Sequence, residues 1–154
     1  MKEYSFVTNN EKETEKVGAL IAPYLTSNSV ITLTGDLGAG KTTFTKGLAQ
    51  GLNINDRVIS PTFNILKCYF KADIPLYHID AYRLEDNDAD IGLLEFIDGD
   101  GIAVIEWPTF ISELIPKSFL EINITILDLN RRQILVKAIG AKYEKIIEII
   151  KENF

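Results

Sequence analysis

The chain has a single cysteine, a single histidine and a single tryptophan among its 154 residues, and only five prolines. Cys68 alone cannot close an internal disulfide, so the fold must rest on its core, and a reducing compartment suits it. A chain of this length buries enough apolar surface to fold without disulfide or metal staples. Apolar runs are short as well. None approaches the roughly 18–20 residues that cross a bilayer, and Met1-Lys2-Glu3-Tyr4 opens neither a signal nor a transit peptide. Repeats, low-complexity tracts and Pro/Gly-rich linkers are missing too, which predicts one domain over residues 1–154. Basic charge is in deficit, with 16 Lys+Arg against 22 Asp+Glu and a formal net charge of -6. That excess of acid argues against non-specific nucleic-acid binding, which needs a basic surface to neutralise phosphates. Any dealings with RNA should pass through a partner, and the composition as a whole fits a soluble cytoplasmic protein with no membrane role.

What is present has a clear order. Tyr4 to Val7 reads as a short strand, and Val17, Leu20, Ile21 and Tyr24 recur at helical spacing until Pro23 marks an end. Val30-Ile31-Thr32-Leu33-Thr34 is the kind of β-branched apolar run that forms a strand buried on both faces of a parallel sheet. A glycine-rich turn follows it, and Phe44, Leu48 and Leu52 then begin a second helix. Phe63 to Tyr69, Leu76 to Asp80 and Ile102 to Ile105 read as further strands, with a short helix over 88–97. In the last third, Leu120, Ile122, Ile124 and Ile126 alternate with polar residues. Asp128-Leu129-Asn130 then turns the chain and Gln133 to Ile139 pairs back as a hairpin. A final helix after Gly140 turns Tyr143, Ile146, Ile147 and Ile150 inward. The expected architecture is an α/β sheet, parallel in its functional half and finished by an antiparallel C-terminal hairpin.

Gly35-Asp36-Leu37-Gly38-Ala39-Gly40-Lys41-Thr42 satisfies the phosphate-loop pattern G-x-x-x-x-G-K-[ST] between a buried strand and a helix, the context the motif requires. Glycines let successive N–H groups point inward as a nest for phosphate oxygens, at the positive end of the following helix. Lys41 reaches the β/γ-phosphates, the Thr42 hydroxyl ligates Mg²⁺, and Thr43 adds a backbone donor. Carboxylates for such a metal come from the carboxyl ends of neighbouring strands. Asp80 and Glu106 both have that placement. Either one can hold the metal, directly or through water, or polarise the attacking water; the structural alternatives are a strand-end turn cap for Asp80 and a solvated carboxylate beside the turn-forming Trp107-Pro108 for Glu106. Between them and the loop, Ser60-Pro61-Thr62-Phe63 is either a plain turn or a segment that orders around a γ-phosphate, as switch segments do. His78 is read as an oriented structural residue, or one that supports a group of the site from behind, rather than a general base, Trp107 as a nucleotide or partner contact or a core or interface anchor, and Cys68 as a small buried hydrophobe.

These motifs, with Tyr77-His78-Ile79-Asp80-Ala81-Tyr82-Arg83-Leu84 and Ile105-Glu106-Trp107-Pro108, stand in the order and spacing of the TsaE (YjeE) family, which this chain resembles over nearly its whole length. The resemblance implies a P-loop NTPase-like, three-layer fold with a mainly parallel sheet. It also implies ATP hydrolysis in support of threonylcarbamoylation of the adenosine beside the anticodon of tRNA, through a complex containing TsaB and TsaD. Carried over by position, Gly38, Ala39, Gly40, Lys41, Thr42 and Thr43 would hold the ATP phosphates, and Thr42 and Glu106 the Mg²⁺. Asp80 and Thr62 would stand in the two switch segments. Asn10 and Arg132, with Arg131 as the neighbouring register, would lie near the nucleotide. The chain departs from the family at Leu52-Asn53-Ile54-Asn55-Asp56, which lacks a glycine often found there, and at Leu94, where an acidic residue is common.

The mechanism expected is in-line attack by water on the γ-phosphoryl group, with Lys41, Asp80 and Glu106 as the catalytic set and slow turnover in the absence of partners. A small-molecule or nucleoside kinase on the same loop is the main alternative, although only Arg57, Arg83, Arg131 and Arg132 are available where kinases gather arginine clamps. A nucleotide-binding sensor without useful turnover is the other. A GTPase is disfavoured, because no Asn-Lys-x-Asp motif follows the loop.

Overall fold

The computed structural model describes residues 2–61, 64–70, 73–84 and 92–154. Seven strands form one sheet: β1 (Lys2–Thr8), β2 (Ser29–Thr34), β3 (Leu66–Tyr69), β4 (Leu76–Asp80), β5 (Ile102–Glu106), β6 (Phe119–Ile126) and β7 (Arg132–Ile139). They lie in the order β1-β7-β6-β2-β5-β4-β3. The central four, β6, β2, β5 and β4, are parallel. Antiparallel pairs finish both edges, β3 against β4 on one side and β6-β7-β1 on the other. The parallel block is where sequence reading put the buried runs: all five residues of β4 and all five of β5 are buried. The outer place of β1, pairing Lys2–Thr8 with a strand some 130 residues later, has no signature in the local sequence.

Helices α1 (Glu11–Ile21), α2 (Lys41–Gly51) and α4 (Glu144–Asn153) cover one face, and α3 (Leu94–Ile97) with the 3₁₀ segment Pro108–Leu114 covers the other. Asn10 caps α1, its side chain accepting from the Glu13 N–H at 2.9 Å, and Pro23 falls in the 3₁₀ turn Ala22–Tyr24 that ends it. The larger core lies between the sheet and the three longer helices, with Phe44 and Leu48 of α2 over Ile31 and Leu33 of β2.

Three readings need correction. The strand expected over 63–69 begins at Leu66 among the described residues, because Ile65 takes a left-handed conformation (φ 66°) and closes a turn in which the Pro61 carbonyl accepts from Asn64 and Ile65. Cys68 is half-buried and not a core residue, because β3 is an edge strand. Burial still pushes its thiol pKa up, with Lys67 pulling the other way. Of the residues 88–97 expected to form a helix, 92–97 are described, and the helix there spans only Leu94–Ile97, because the left-handed Gly92 (φ 89°) stands just before it; residues 88–91 lie outside the described residues.

Helix α1 reaches α2 at contact distance through glycine. A Cβ on Gly47 would fall 1.7 Å from the Glu15 carbonyl oxygen, so the two backbones touch there. In an open helix Gly→Ala gains about 0.8–1 kcal/mol of propensity. Here the clash is with backbone and the sign reverses: Gly47→Ala should destabilise by about 1–3 kcal/mol. That corresponds to about 2–4 °C per kcal/mol in the melting temperature of a chain this size. Thermal unfolding followed by circular dichroism checks it, and a melting temperature at or above the parent's would show that the helices can part without cost. The contact matters to the site, since it ties the start of α1, with Asn10 and Glu11, to the helix that follows the phosphate loop.

Candidate nucleotide site

Strand β2 ends at Thr34, residues Gly35 to Gly40 turn the chain, and α2 starts at Lys41. Gly38 (φ 81°) and Gly40 (φ 114°) occupy the left-handed region that favours glycine. The turn is closed by the Ala39 N–H on the Asp36 carbonyl at 2.9 Å, and the Phe44 N–H on the Gly40 carbonyl, also 2.9 Å, begins the helical ladder. Gly40 caps α2 without a side chain, so the helix presents bare N–H groups at its positive end.

Clefts open on the two sides of this loop and share Glu11, Gly38, Gly40 and Thr43. The first, about 620 Å³, is lined by Asn10, Ala39, Leu129, Asn130 and Arg132 among others. The second, about 640 Å³, is lined by Lys41, Thr42, Ser60, Asp80, Tyr82, Glu106 and Trp107 as well as the shared residues. The pattern G-x-x-x-x-G-K-T, the two strand-end carboxylates and Ser60 are thus brought to one place. Thr62 lies outside the described residues.

Parallel register accounts for the carboxylates. Asp80 and Glu106 are opposite one another at the ends of β4 and β5, and alternation along β4 puts His78 on the same face as Asp80. Both carboxylates are almost wholly buried, at 4% and 3% exposure, and Lys41 is 8% exposed. Glu106 stands between two partners: its Oε2 is 2.6 Å from His78 Nε2 and its Oε1 is 3.6 Å from Lys41 Nζ. Asp80 Oδ1 accepts from the Tyr82 N–H at 3.0 Å. The Lys41 ammonium also lies 4.7 Å from the centroid of the Trp107 ring, which stacks on Phe110. Trp107 is left-handed itself (φ 57°, ψ 53°), a conformation that costs a non-glycine residue about 1–3 kcal/mol and turns the chain sharply after Glu106.

On the other side of the loop, Arg132 and Arg131 part company. Arg132 donates from Nε to the Ala39 carbonyl (2.9 Å) and from Nη2 to the Gly38 carbonyl (3.3 Å), while its Nη1 donates to the Asp128 and Arg131 carbonyls. It therefore clips the hairpin tip to the phosphate loop. Arg131 turns back on Asp128, whose carboxyl its backbone N–H and guanidinium hold down at about 2. Asn10 lines the first cleft while serving as the cap of α1.

Sequence reasoning missed Glu11, which borders both clefts, and the contact between Trp107 and Lys41. The acid just after a cap residue was a visible signal for the first; nothing local announced the second. His78 was singled out, but its bond to Glu106 spans 28 positions and has no signature in the chain.

The site suits a magnesium nucleotide by its donor set. The space at the Cβ position of Gly38 is open, so the loop backbone is accessible to a ligand. Among the described residues no group of three His, Cys, Asp or Glu side chains could cage a metal. Mg²⁺ bound with phosphates needs no such cage, only one or two carboxylates, a hydroxyl and water. Thr42, on the first turn of α2, and Glu106 fit that requirement.

Comparison with known proteins agrees with the motifs. Residues 8–134 match the model of the family described as threonylcarbamoyl adenosine biosynthesis protein TsaE. The tRNA threonylcarbamoyladenosine biosynthesis protein TsaE of Bacillus subtilis (strain 168) is 45% identical over 153 residues, covering 99% of this chain and 97% of that one. Its counterpart in Rickettsia felis is 38% identical over 129 residues, 82% of this chain and 75% of the other. The crystal structure of YdiB from Bacillus subtilis superposes with a TM-score of 0.86 at 38% identity, covering 99% of this chain and 97% of that one. A phosphate loop between β2 and α2, set in a sheet that superposes on YdiB and in a sequence matched over residues 8–134, identifies the chain as a member of the TsaE family of tRNA threonylcarbamoyladenosine biosynthesis proteins.

Proposed function

We propose that this protein hydrolyses Mg·ATP in the cytoplasm and that hydrolysis drives the cycle of a TsaB–TsaD complex, which transfers the threonylcarbamoyl group to tRNA. The observation that carries this reading is the convergence of Lys41, Asp80 and Glu106, all nearly buried, on the cleft beside the phosphate loop. In it, the amides of Gly38 to Thr43 and the Lys41 ammonium hold the phosphates, and Asn10 and Arg132 border the nucleotide's other end. Thr42 and Glu106 hold the metal, which when bound offsets charge on the phosphate oxygens. Asp80 orients and polarises the attacking water, and Lys41 stabilises charge on the γ-phosphoryl oxygens. Ser60 and Thr62 belong to the segment that responds to the γ-phosphate.

A kinase reading has less support. Arg57 lines a separate cleft near the end of α2, and Arg131 and Arg132 are engaged by Asp128 and by backbone carbonyls. A net charge of -6 leaves tRNA contact to the partners.

Phosphate release from purified protein is expected to be slow and to rise when TsaB and TsaD are added together. Fast release that a TsaB–TsaD mixture leaves unchanged would refute the partner-driven reading. Appearance of a new phosphorylated product in place of free phosphate would favour the kinase.

A further inference from the structure

The buried group in closest contact with Glu106 has no part in the chemistry above. His78 is fully buried on β4, its Nε2 2.6 Å from Glu106 Oε2, and its Nδ1 has no hydrogen-bond partner among the described residues. A histidine kept only for packing would gain by pairing both nitrogens or by being apolar, since an unpaired buried polar atom costs about 1–3 kcal/mol. The ring sits where Glu106 needs it.

The two contacts of Glu106 are unequal. The bond to His78 is short even for a charge-assisted hydrogen bond, whereas Lys41 Nζ, at 3.6 Å, is beyond the usual 2.7–2.9 Å of an ammonium fully engaged by a carboxylate. Removing the imidazole would free Oε2 and let the carboxylate close on Lys41 with both oxygens. That tighter pair would compete with phosphate for the lysine and with metal for the acid.

We propose that His78 is a positioning residue: its Nε2–H holds one oxygen of Glu106 so that the other faces the metal and phosphates and Lys41 stays available to the nucleotide. The proposal rests on the reading of this cleft as a Mg·ATP site. Carboxylates accept and do not donate, so the hydrogen belongs on Nε2. Partners of this kind, one step behind a metal ligand, typically contribute about 10–100-fold to metal affinity or activity.

The chain's only histidine makes one test direct, because every imidazole signal belongs to it. ¹⁵N-edited spectra of the protein without nucleotide should place the hydrogen on Nε2, protected from exchange with water, and Glu106→Ala should abolish that protection. A hydrogen on Nδ1, or an Nε2–H that exchanges freely, would overturn the assignment. The second test compares isosteres. A glutamine amide reaches the position of Nε2, whereas an asparagine amide stops near Nδ1. His78→Asn should raise the Mg²⁺ concentration for half-maximal hydrolysis by about 10-fold or more, with a smaller loss of kcat at saturating Mg²⁺, and His78→Gln should recover most of the difference. Equal behaviour of the two variants, or a loss of kcat at unchanged Mg²⁺ requirement, would overturn the proposal while leaving the site's assignment standing. Wild-type protein with no Mg²⁺-dependent hydrolysis, alone or with TsaB and TsaD, would bring down the site reading and the proposal together.

Discussion

Lys41→Ala is expected to weaken Mg·ATP binding by about two orders of magnitude or more. The side chain lies 3.6 Å from the buried carboxylate of Glu106 and lines the same cleft as the buried Asp80, where charges interact more strongly than in bulk water. Without it, a polyphosphate would approach an acidic wall with only loop amides and Mg²⁺ in its favour. A charge-assisted hydrogen bond contributes about 1.5–3 kcal/mol, and the uncompensated Glu106 adds repulsion; each 1.4 kcal/mol is about tenfold in affinity. Calorimetric titration with Mg²⁺ and a non-hydrolysable ATP analogue measures the change. Lys41→Met, which keeps most of the stem that packs beside Trp107, controls for collapse of the cleft. Affinity within tenfold of the parent in both variants would take Lys41 out of phosphate recognition.

The second large effect separates binding from turnover. Asp80→Asn keeps the shape of the side chain and an oxygen able to accept from the Tyr82 N–H, so the strand end should hold its geometry. What it would lose is the charge that, in the proposed mechanism, polarises water. Turnover in the presence of TsaB and TsaD should fall by about 10²–10⁴, the usual contribution of a positioned general base, with little change in nucleotide affinity. Steady-state phosphate release and equilibrium binding on the same preparation decide the matter. Turnover close to the parent's would leave Asp80 as a strand-end cap, and a matching loss of affinity would make it a binding group.

Several features of the site were legible because they are local. The eight residues from Gly35 to Thr42 announce a phosphate loop through glycine at fixed offsets and a lysine at the helix start. A continuous apolar run before them announces a buried strand. Asp80 and Glu106 could be singled out because each follows such a run. The hairpin of β6 and β7 was readable from period-two alternation on both sides of a turn. Most of these signals lie within about ten residues of chain, and the hairpin's spans only about twenty residues, its two strands and turn.

Contacts between distant segments were not legible. Periodicity tells which face of a strand is apolar, but says nothing about which strand lies alongside. That β1 would pair with β7, and that β3 would be an edge exposing part of Cys68, followed from the sheet order. The choice between Arg131 and Arg132 was a matter of one residue in register, decided when the hairpin tip met the phosphate loop. Glu106 is the sharpest case. Its chemistry as an acid at a strand end could be read from Ile102-Ala103-Val104-Ile105-Glu106 alone. Its division between His78 and Lys41 arose only when parallel register placed β4 beside β5 and α2 packed over them. Residue type and spacing determined that a phosphate loop and two strand-end carboxylates would be present. Tertiary packing decided which groups touch, because hydrogen bonds and ion pairs act over a few ångströms between residues that the chain separates by dozens of positions.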